Sequence, residues 1–337
     1  RRPTRATTAR TTASRGVAFE RARARAPARA SGRRRGTRAR RARAMGERYD
    51  AASAREMYAD GCASSEARAC VVVVPGLGDG PASLSYVARG SALEARCAST
   101  ARALIRFELS TSYEGYGTRQ LRDDARDIDA VIRALRVKFP LATSFALVGH
   151  STGCQSICHY LASGYDSASA VDRIVLQAGV SDRDWYDADC GREVMREWVA
   201  RAREMAPDDL MPADTPGTYG VATNARRFLS LASAGGDDDW FSLDIFDGSS
   251  GEGVESSKIV RKLGAGACAR VDVRLVVSTA DEYVPYDRDV VVAHNERIRD
   301  AFARVAKSAR THYIEANHDL SDMAEKDAPG FVDFVLS

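Results

Sequence analysis

The stretch "LVGHSTGCQS", Leu147 to Ser156, narrows the folds open to this chain more than any other. It joins an apolar run, "SFALVG" (Ser144 to Gly149), directly to a helical run from Thr152 to Ala162. The join is G-x-S-x-G: Gly149, His150, Ser151, Thr152 and Gly153. A strand that turns into a helix this sharply needs glycines two before and two after the Ser, so that no Cβ clashes at the turn. Five residues with three fixed positions recur by chance, so the surroundings of the motif decide its meaning.

Those surroundings alternate. "CVVVVP" (Cys70 to Pro75) is short, continuous and β-branched, the mark of a buried strand. A helix is expected over 83–97, then a strand, "ALIRFEL", from Ala103 to Leu109. Leu121, Ala125, Ile128, Ile132, Leu135 and Phe139 recur at intervals of four and three with Asp and Arg between them, which predicts an amphipathic helix stopped by Pro140. "RIVLQA" (Arg173 to Ala178) and "VRLVVS" (Val273 to Ser278) read as strands. A helix follows over 287–307, a last strand from Thr311 and a last helix over 326–336. Strands alternating with helices imply a mostly parallel sheet flanked by helices. Residues 183–268 break the alternation with helical pieces near 189–205 and 224–232. They read as a cap-like insertion over the sheet edge, with Trp185, Trp198, Trp240 and Phe241 forming its own core or lining an apolar pocket.

Charge divides the chain. Of 49 basic and 46 acidic residues, sixteen Arg but only one acid, Glu20, lie in 1–45, so 46–337 holds 33 basic and 45 acidic residues. An acidic body repels phosphate, which argues against a nucleic-acid partner. The tail, rich in Arg, Ala, Ser and Thr, has no apolar period and is expected to be disordered. Its composition fits a transit peptide for a chloroplast or mitochondrion. The other reading is an upstream extension from a GC-rich genome, with Met45 as the start of a cytoplasmic protein. No apolar run reaches the roughly 18 residues of a membrane helix. Seven Cys without C-x-x-C fit reduced thiols. Cys154 and Cys158 read as buried small residues. The acids of "GGDDDWFS" (Gly235 to Ser242) read as a solvated loop and helix start rather than a metal site. No metal or cofactor is expected.

A Ser hydroxyl becomes a nucleophile only when a base takes its proton. Of the five His, His150 lies inside the turn, His159 on the next helix, His294 inside a helix and His312 at the start of the last strand. His318, in "EANHDL", alone follows a strand, at the sheet edge from which Ser151 projects. Asp281, in "STADEYVP" after the strand ending at Ser278, is the expected acid. Asp182 is its rival, and Glu282 points elsewhere if Asp281 points in. Backbone N–H groups of Thr152 and of Leu77, in "GLGDG", are expected to hold an oxyanion.

With these residues in place, the chain resembles the α/β-hydrolase superfamily and, within it, the fungal and plant family called domain of unknown function 1749. The likeness rests on "PGLGDG", "LSTSYEGYGT", "LVGHSTGCQS", "LQAGVSDRD", "FLSLASAGGDDDWFS", "DEYVP" and "NHDL", and covers roughly 70–335. Members include an esterase of fusarinine-type siderophores. The resemblance implies an α/β-hydrolase fold and a Ser-Asp-His hydrolase acting on a small-molecule carboxylic ester or thioester. It does not carry over the siderophore. A ligand-binding receptor or scaffold with little turnover is the alternative.

A chain starting at Met45 is expected to fold and hydrolyse activated esters with unchanged kinetics. A fluorescent protein fused behind residues 1–60 is expected in a plastid or mitochondrion. Diffuse cytosolic fluorescence would support the upstream-extension reading instead.

Overall fold

The computed structural model describes residues 47–50, 56–248, 251–264 and 266–337, so the basic tail of 1–45 lies outside the described residues. Eight strands form one sheet: β1 (Glu47–Asp50), β2 (Glu56–Gly61), β3 (Ala69–Val74), β4 (Arg102–Phe107), β5 (Ser144–His150), β6 (Val171–Gln177), β7 (Asp272–Ser278) and β8 (Ser308–Ile314). Their order is β1-β2-β4-β3-β5-β6-β7-β8. The pairs β1–β2 and β2–β4 are antiparallel, and the other five are parallel. The helices are α1 (Ala92–Ser99), α2 (Leu121–Lys138), α3 (Thr152–Ala162), α4 (Asp182–Tyr186), α5 (Arg192–Glu204), α6 (Ala225–Ala232), α7 (Lys258–Leu263), α8 (Arg288–Ala303) and α9 (Ala328–Leu336).

The strands are apolar on both faces because helices cover both. Val72, Val74, Leu147, Ile174 and Leu275 pack in one core with Ile128 and Ile132 of α2, Ile157 of α3 and Ile298 of α8. Their neighbours Val71, Val73, Val148, Val175 and Val276 pack in a second core with Leu93 of α1 and Phe331, Val332 and Val335 of α9. This is the two-residue period of a strand shared between two helical layers. Every apolar position that predicted α2 is fully buried, and the Asp123 carboxylate accepts the N–H of Gln120 at its start, 3.0 Å away. The parallel strands all end on one sheet edge, so the loops after β3, β5, β6, β7 and β8 converge there. Ligand sites of open α/β sheets form at this edge.

The fold departs from the sequence reading at several places. The helix expected over 83–97 is a short turn at Ser85–Val87 followed by α1, because the Ser91 hydroxyl caps a new helix start by accepting from Glu94 N–H. The strands β1 and β2 were not anticipated. β2 alternates, burying Met57 and Ala59 on one side, and this antiparallel strand between β1 and β4 lacks the continuous apolar run that betrays an inner parallel one. The last strand begins at Ser308 rather than Thr311, because Asp272 at the start of β7 gathers Ser308, Arg274 and Arg310 around its carboxylate. His312 is therefore mid-strand.

The segment read as one insertion, 183–268, divides in two. Helices α4, α5 and α6 share a separate core of Tyr186, Met195, Val199, Met211, Phe228 and Leu231, with Trp185 and Trp198 at its margin. Trp240, Phe241, Phe246, Ile259 and Leu263 instead belong to the main core. Of the acids of "GGDDDWFS", Asp237 is solvent-exposed as expected, but Asp238 and Asp239 are not. Asp238 is buried and accepts from Arg227 of α6 at 2.5 Å and from Ser230 at 2.6 Å. Asp239 lies 3.5 Å from Arg183. No helix starts there, because the Asp238 and Asp239 carboxylates turn inward to meet the cap's cations. All seven cysteines are free. Burial holds the Cys154 and Cys158 thiols well above their usual range. Among the described residues no helix is long and apolar enough to cross a membrane.

Arg227 and Asp238 are each about 1% exposed at the side chain, so removing one strands the other's charge. Arg227→Ala is expected to cost about 3–5 kcal/mol of stability by urea denaturation. The double change Arg227→Met with Asp238→Leu is expected to recover most of that loss.

Candidate active site

Ser151 occupies a backbone conformation that side-chain-bearing residues avoid, φ 53° and ψ −127°. Two contacts hold it there. Its N–H donates to the carbonyl of Gln177 at the end of β6, 3.0 Å away. Helix α3 begins at the next residue, so close to β3 that a Cβ on Gly153 would lie 2.7 Å from the carbonyl oxygen of Pro75. Only glycine fits, which is the physical reason for the last position of G-x-S-x-G. Strain of this kind persists where the surroundings over-determine it, typically at functional sites.

His318 and Asp281 meet. The Asp281 Oδ2 lies 2.7 Å from His318 Nδ1, and both side chains are buried. The second Asp281 oxygen accepts the N–H of Tyr283 at 2.9 Å, fixing the carboxylate's turn. Glu282 does point elsewhere, and it helps to hold the base, since its carboxylate accepts the backbone N–H of His318 at 2.9 Å. Burial alone would lower the His318 pKa. The charge and hydrogen bond of Asp281, with Glu282 and Asp79 behind them, outweigh it and hold the imidazole above its ordinary value. Asp182 makes no such contact. Its carboxylate accepts from Gln155 of α3 at 3.3 Å, and burial pushes its pKa up to about 7.

Two residues of the site escaped sequence reasoning. His150, passed over as lying inside the turn, packs against the expected base with ring centroids 4.8 Å apart. Burial and the neighbouring His318 hold it below its ordinary pKa. Gln177 binds the whole group together. Its Oε1 lies 2.6 Å from His150 Nδ1 and accepts from the Tyr86 hydroxyl at 3.3 Å. Its Nε2 donates to the carbonyl of His318 at 2.8 Å. The signal for Gln177 was present in "RIVLQA", where a glutamine ends an otherwise apolar buried strand.

Leu77 and Thr152 flank the same Ser. A Cβ on Gly76 would lie 3.0 Å from Ser151 Cβ and 3.1 Å from an Asp79 carboxylate oxygen, so the "GLGDG" loop passes directly over the turn. Thr152 is the first residue of α3, where an N–H has no partner within the helix. Among the described residues, neither its N–H nor that of Leu77 is given to another acceptor. "LSTSYEGYGT" braces the loop, since Tyr113 N–H donates to the carbonyl of Gly78 at 3.1 Å. The Leu77 side chain touches the cap core.

The family described as "Protein of unknown function (DUF1749)" matches residues 44–335. The chain belongs to this family. As a DUF1749 protein it is 30% identical over 307 residues to the fusarinine C esterase sidJ of Aspergillus fumigatus, a match covering 76% of this chain and 84% of that one. Its fold is similar to that of the siderophore hydrolase EstB from Aspergillus fumigatus, with TM-score 0.66 and 26% identity, over 87% of this chain and 96% of that one. An α/β-hydrolase fold protein of unknown function aligns with TM-score 0.59 and 17% identity, over 86% and 94% of the two chains. The DUF1749 protein thus has the α/β-hydrolase fold and is an esterase-type hydrolase.

Replacing Gln177 by Leu would leave the Tyr86 hydroxyl, His150 and the His318 carbonyl without their buried partner. Gln177→Leu is expected to lower stability by about 2 kcal/mol in urea denaturation and to slow the hydrolysis of 4-nitrophenyl acetate.

Proposed function

We propose that this protein hydrolyses a carboxylic ester through a Ser151, Asp281 and His318 triad. The single observation behind this reading is the 2.7 Å contact between Asp281 and His318 at the sheet edge that carries the strained Ser151. In this reading His318 takes the Ser151 proton as Oγ attacks the ester carbonyl carbon. The Leu77 and Thr152 N–H groups receive the oxyanion. Collapse breaks the bond to the leaving alcohol, which takes the proton from His318, and leaves an acyl group on Ser151. His318 then deprotonates a water that attacks this acyl carbon, and Ser151 leaves with the proton. Asp281 keeps the imidazole in one tautomer and stabilises the imidazolium. A thioester fits the same sequence of steps. Esters of the siderophore type are natural test substrates, given the names of the relatives.

Ser151→Ala is expected to stay folded, with an unchanged circular dichroism spectrum, and to lose hydrolysis of activated esters and labelling by a fluorophosphonate. Asp281→Asn is expected to lower kcat by about 10⁴-fold, and Asp182→Asn far less. Retained turnover in Ser151→Ala would sink the mechanism, and reversed effects of the two Asp changes would sink the choice of acid.

A histidine base works only when neutral. Because its neighbours hold His318 above its ordinary value of about 6.5, kcat/KM is expected to rise with pH through a pKa above that value. Glu282→Gln removes one of the negative charges that favour the imidazolium. The acid limb of the pH profile is then expected to move to lower pH.

A further inference from the structure

Beside Ser151, two hydrogen-bond acceptors face each other with no donor from the described residues between them. The first is His150 Nε2, and a chain of contacts fixes its role. The carbonyl of His318 only accepts, so the Gln177 amide nitrogen is the atom that meets it at 2.8 Å. The Gln177 amide oxygen therefore faces His150 Nδ1 at 2.6 Å, and Nδ1 carries the proton. Burial and the neighbouring His318 hold the ring below its ordinary pKa, which leaves Nε2 bare. The His150 side chain is 4% exposed, yet Nε2 itself stays open to solvent.

The second acceptor is the carboxylate of Asp79 in the "GLGDG" loop. Its Oδ2 lies 3.8 Å from His150 Nε2, and the side chain is 29% exposed. Among the described residues no Lys, Arg or other donor reaches this carboxylate. Ser151 Cβ, Asp79 Oδ2 and His150 Cδ2 lie 3.0, 3.1 and 3.1 Å from the place a Gly76 Cβ would take. The carboxylate oxygen and Ser151 Cβ are therefore no more than about 6 Å apart. A negative charge this close to the nucleophile opposes an oxyanion forming on a bound carbonyl. A positive group on the ligand would reverse that effect.

We infer that Asp79 Oδ2 and His150 Nε2 form a subsite for an ammonium group carried on the acyl side of the ester, next to the scissile carbonyl. This inference rests on the Ser151 mechanism above. An ammonium has three N–H donors and serves both acceptors, whereas a hydroxyl has one. A divalent metal ion wants more ligands than these two, and among the described residues no three His, Cys, Asp or Glu side chains converge to hold one. The reach fits. From Ser151 Oγ, three bonds lead through the carbonyl carbon and its neighbour to the nitrogen, and a hydrogen bond covers the remainder. The acyl side follows from the two steps of the reaction. An ammonium on the alcohol departs with it and leaves Asp79 to oppose the second oxyanion, whereas one on the acyl group stays through both. The site thus selects α-ammonium esters, the class to which esters of amino acids belong.

The test pairs the 4-nitrobenzyl esters of alanine and of isobutyric acid, which differ only by an ammonium in place of a methyl group. It is run on the full chain at pH 7, where an α-ammonium is mostly charged. Asp79→Asn is expected to lower kcat/KM for the alanine ester by about tenfold or more, as befits a charge-assisted hydrogen bond. The same change is expected to raise kcat/KM for the isobutyrate, whose oxyanion no longer meets the negative charge. Damage to the fold would lower both, so the opposite signs separate recognition from a structural role. An alanine-to-isobutyrate ratio left unchanged by Asp79→Asn would overturn the subsite. A second measurement needs no variant and decides even if Asp79→Asn fails to fold. Alaninamide and isobutyramide are compared as inhibitors of 4-nitrophenyl acetate hydrolysis. Alaninamide is expected to inhibit about tenfold more strongly or better, and equal inhibition constants would overturn the subsite. Either failure, with hydrolysis of the isobutyrate still dependent on Ser151, sinks the ammonium subsite alone. Hydrolysis of both esters that survives Ser151→Ala sinks the mechanism and the subsite with it.

Discussion

Everything at the functional edge of this molecule depends on how closely helix α3 is pressed onto strand β3. The contact allows no side chain at Gly153, and it forces the residue just before the helix, Ser151, into a positive φ. A strained turn can be held only by a rigid frame. Here the frame is β3, β5 and β6 in parallel register, buried on both faces. The Gln177 carbonyl takes the Ser151 N–H and the Gln177 side chain donates to the His318 carbonyl. One residue of the frame therefore positions both Ser151 and His318.

The electrostatics follow from burial. His318 lies among Asp281, Glu282 and Asp79, and its imidazolium is favoured in spite of desolvation. His150, one ring away, answers to desolvation and to the charge of His318, and is held below its ordinary value. Two histidines in contact are thus driven apart in pKa by different neighbours. Further from the turn, Asp124 and Asp182 flank α3 through Ser156 and Gln155, and burial pushes each carboxyl up to about 7.

The cap is tied to this edge by charge as much as by hydrocarbon. Arg227 of α6 reaches the Tyr116 carbonyl at 2.9 Å and Asp238 at 2.5 Å. Leu77 extends from the "GLGDG" loop into the cap core. A movement of the cap would therefore be felt at the loop over Ser151.

The sequence by itself determined the parallel sheet, because continuous β-branched runs such as Val71 to Val74 need cover on both faces and the helical runs between them supply it. It determined the turn at Ser151, because local backbone sterics demand its glycines. It also brought Asp281 and His318 to the right edge, because each directly follows a strand. It was silent on β2, whose partly polar pattern lacks the continuous apolar run of the parallel strands. It misread Asp238, since a charge is buried or solvated according to whether a partner such as Arg227 arrives from another element. The roles of Gln177 and His150 were decided only by tertiary structure. Their partners lie tens of residues away, and a hydrogen bond between distant segments leaves no period or spacing in the chain that makes it.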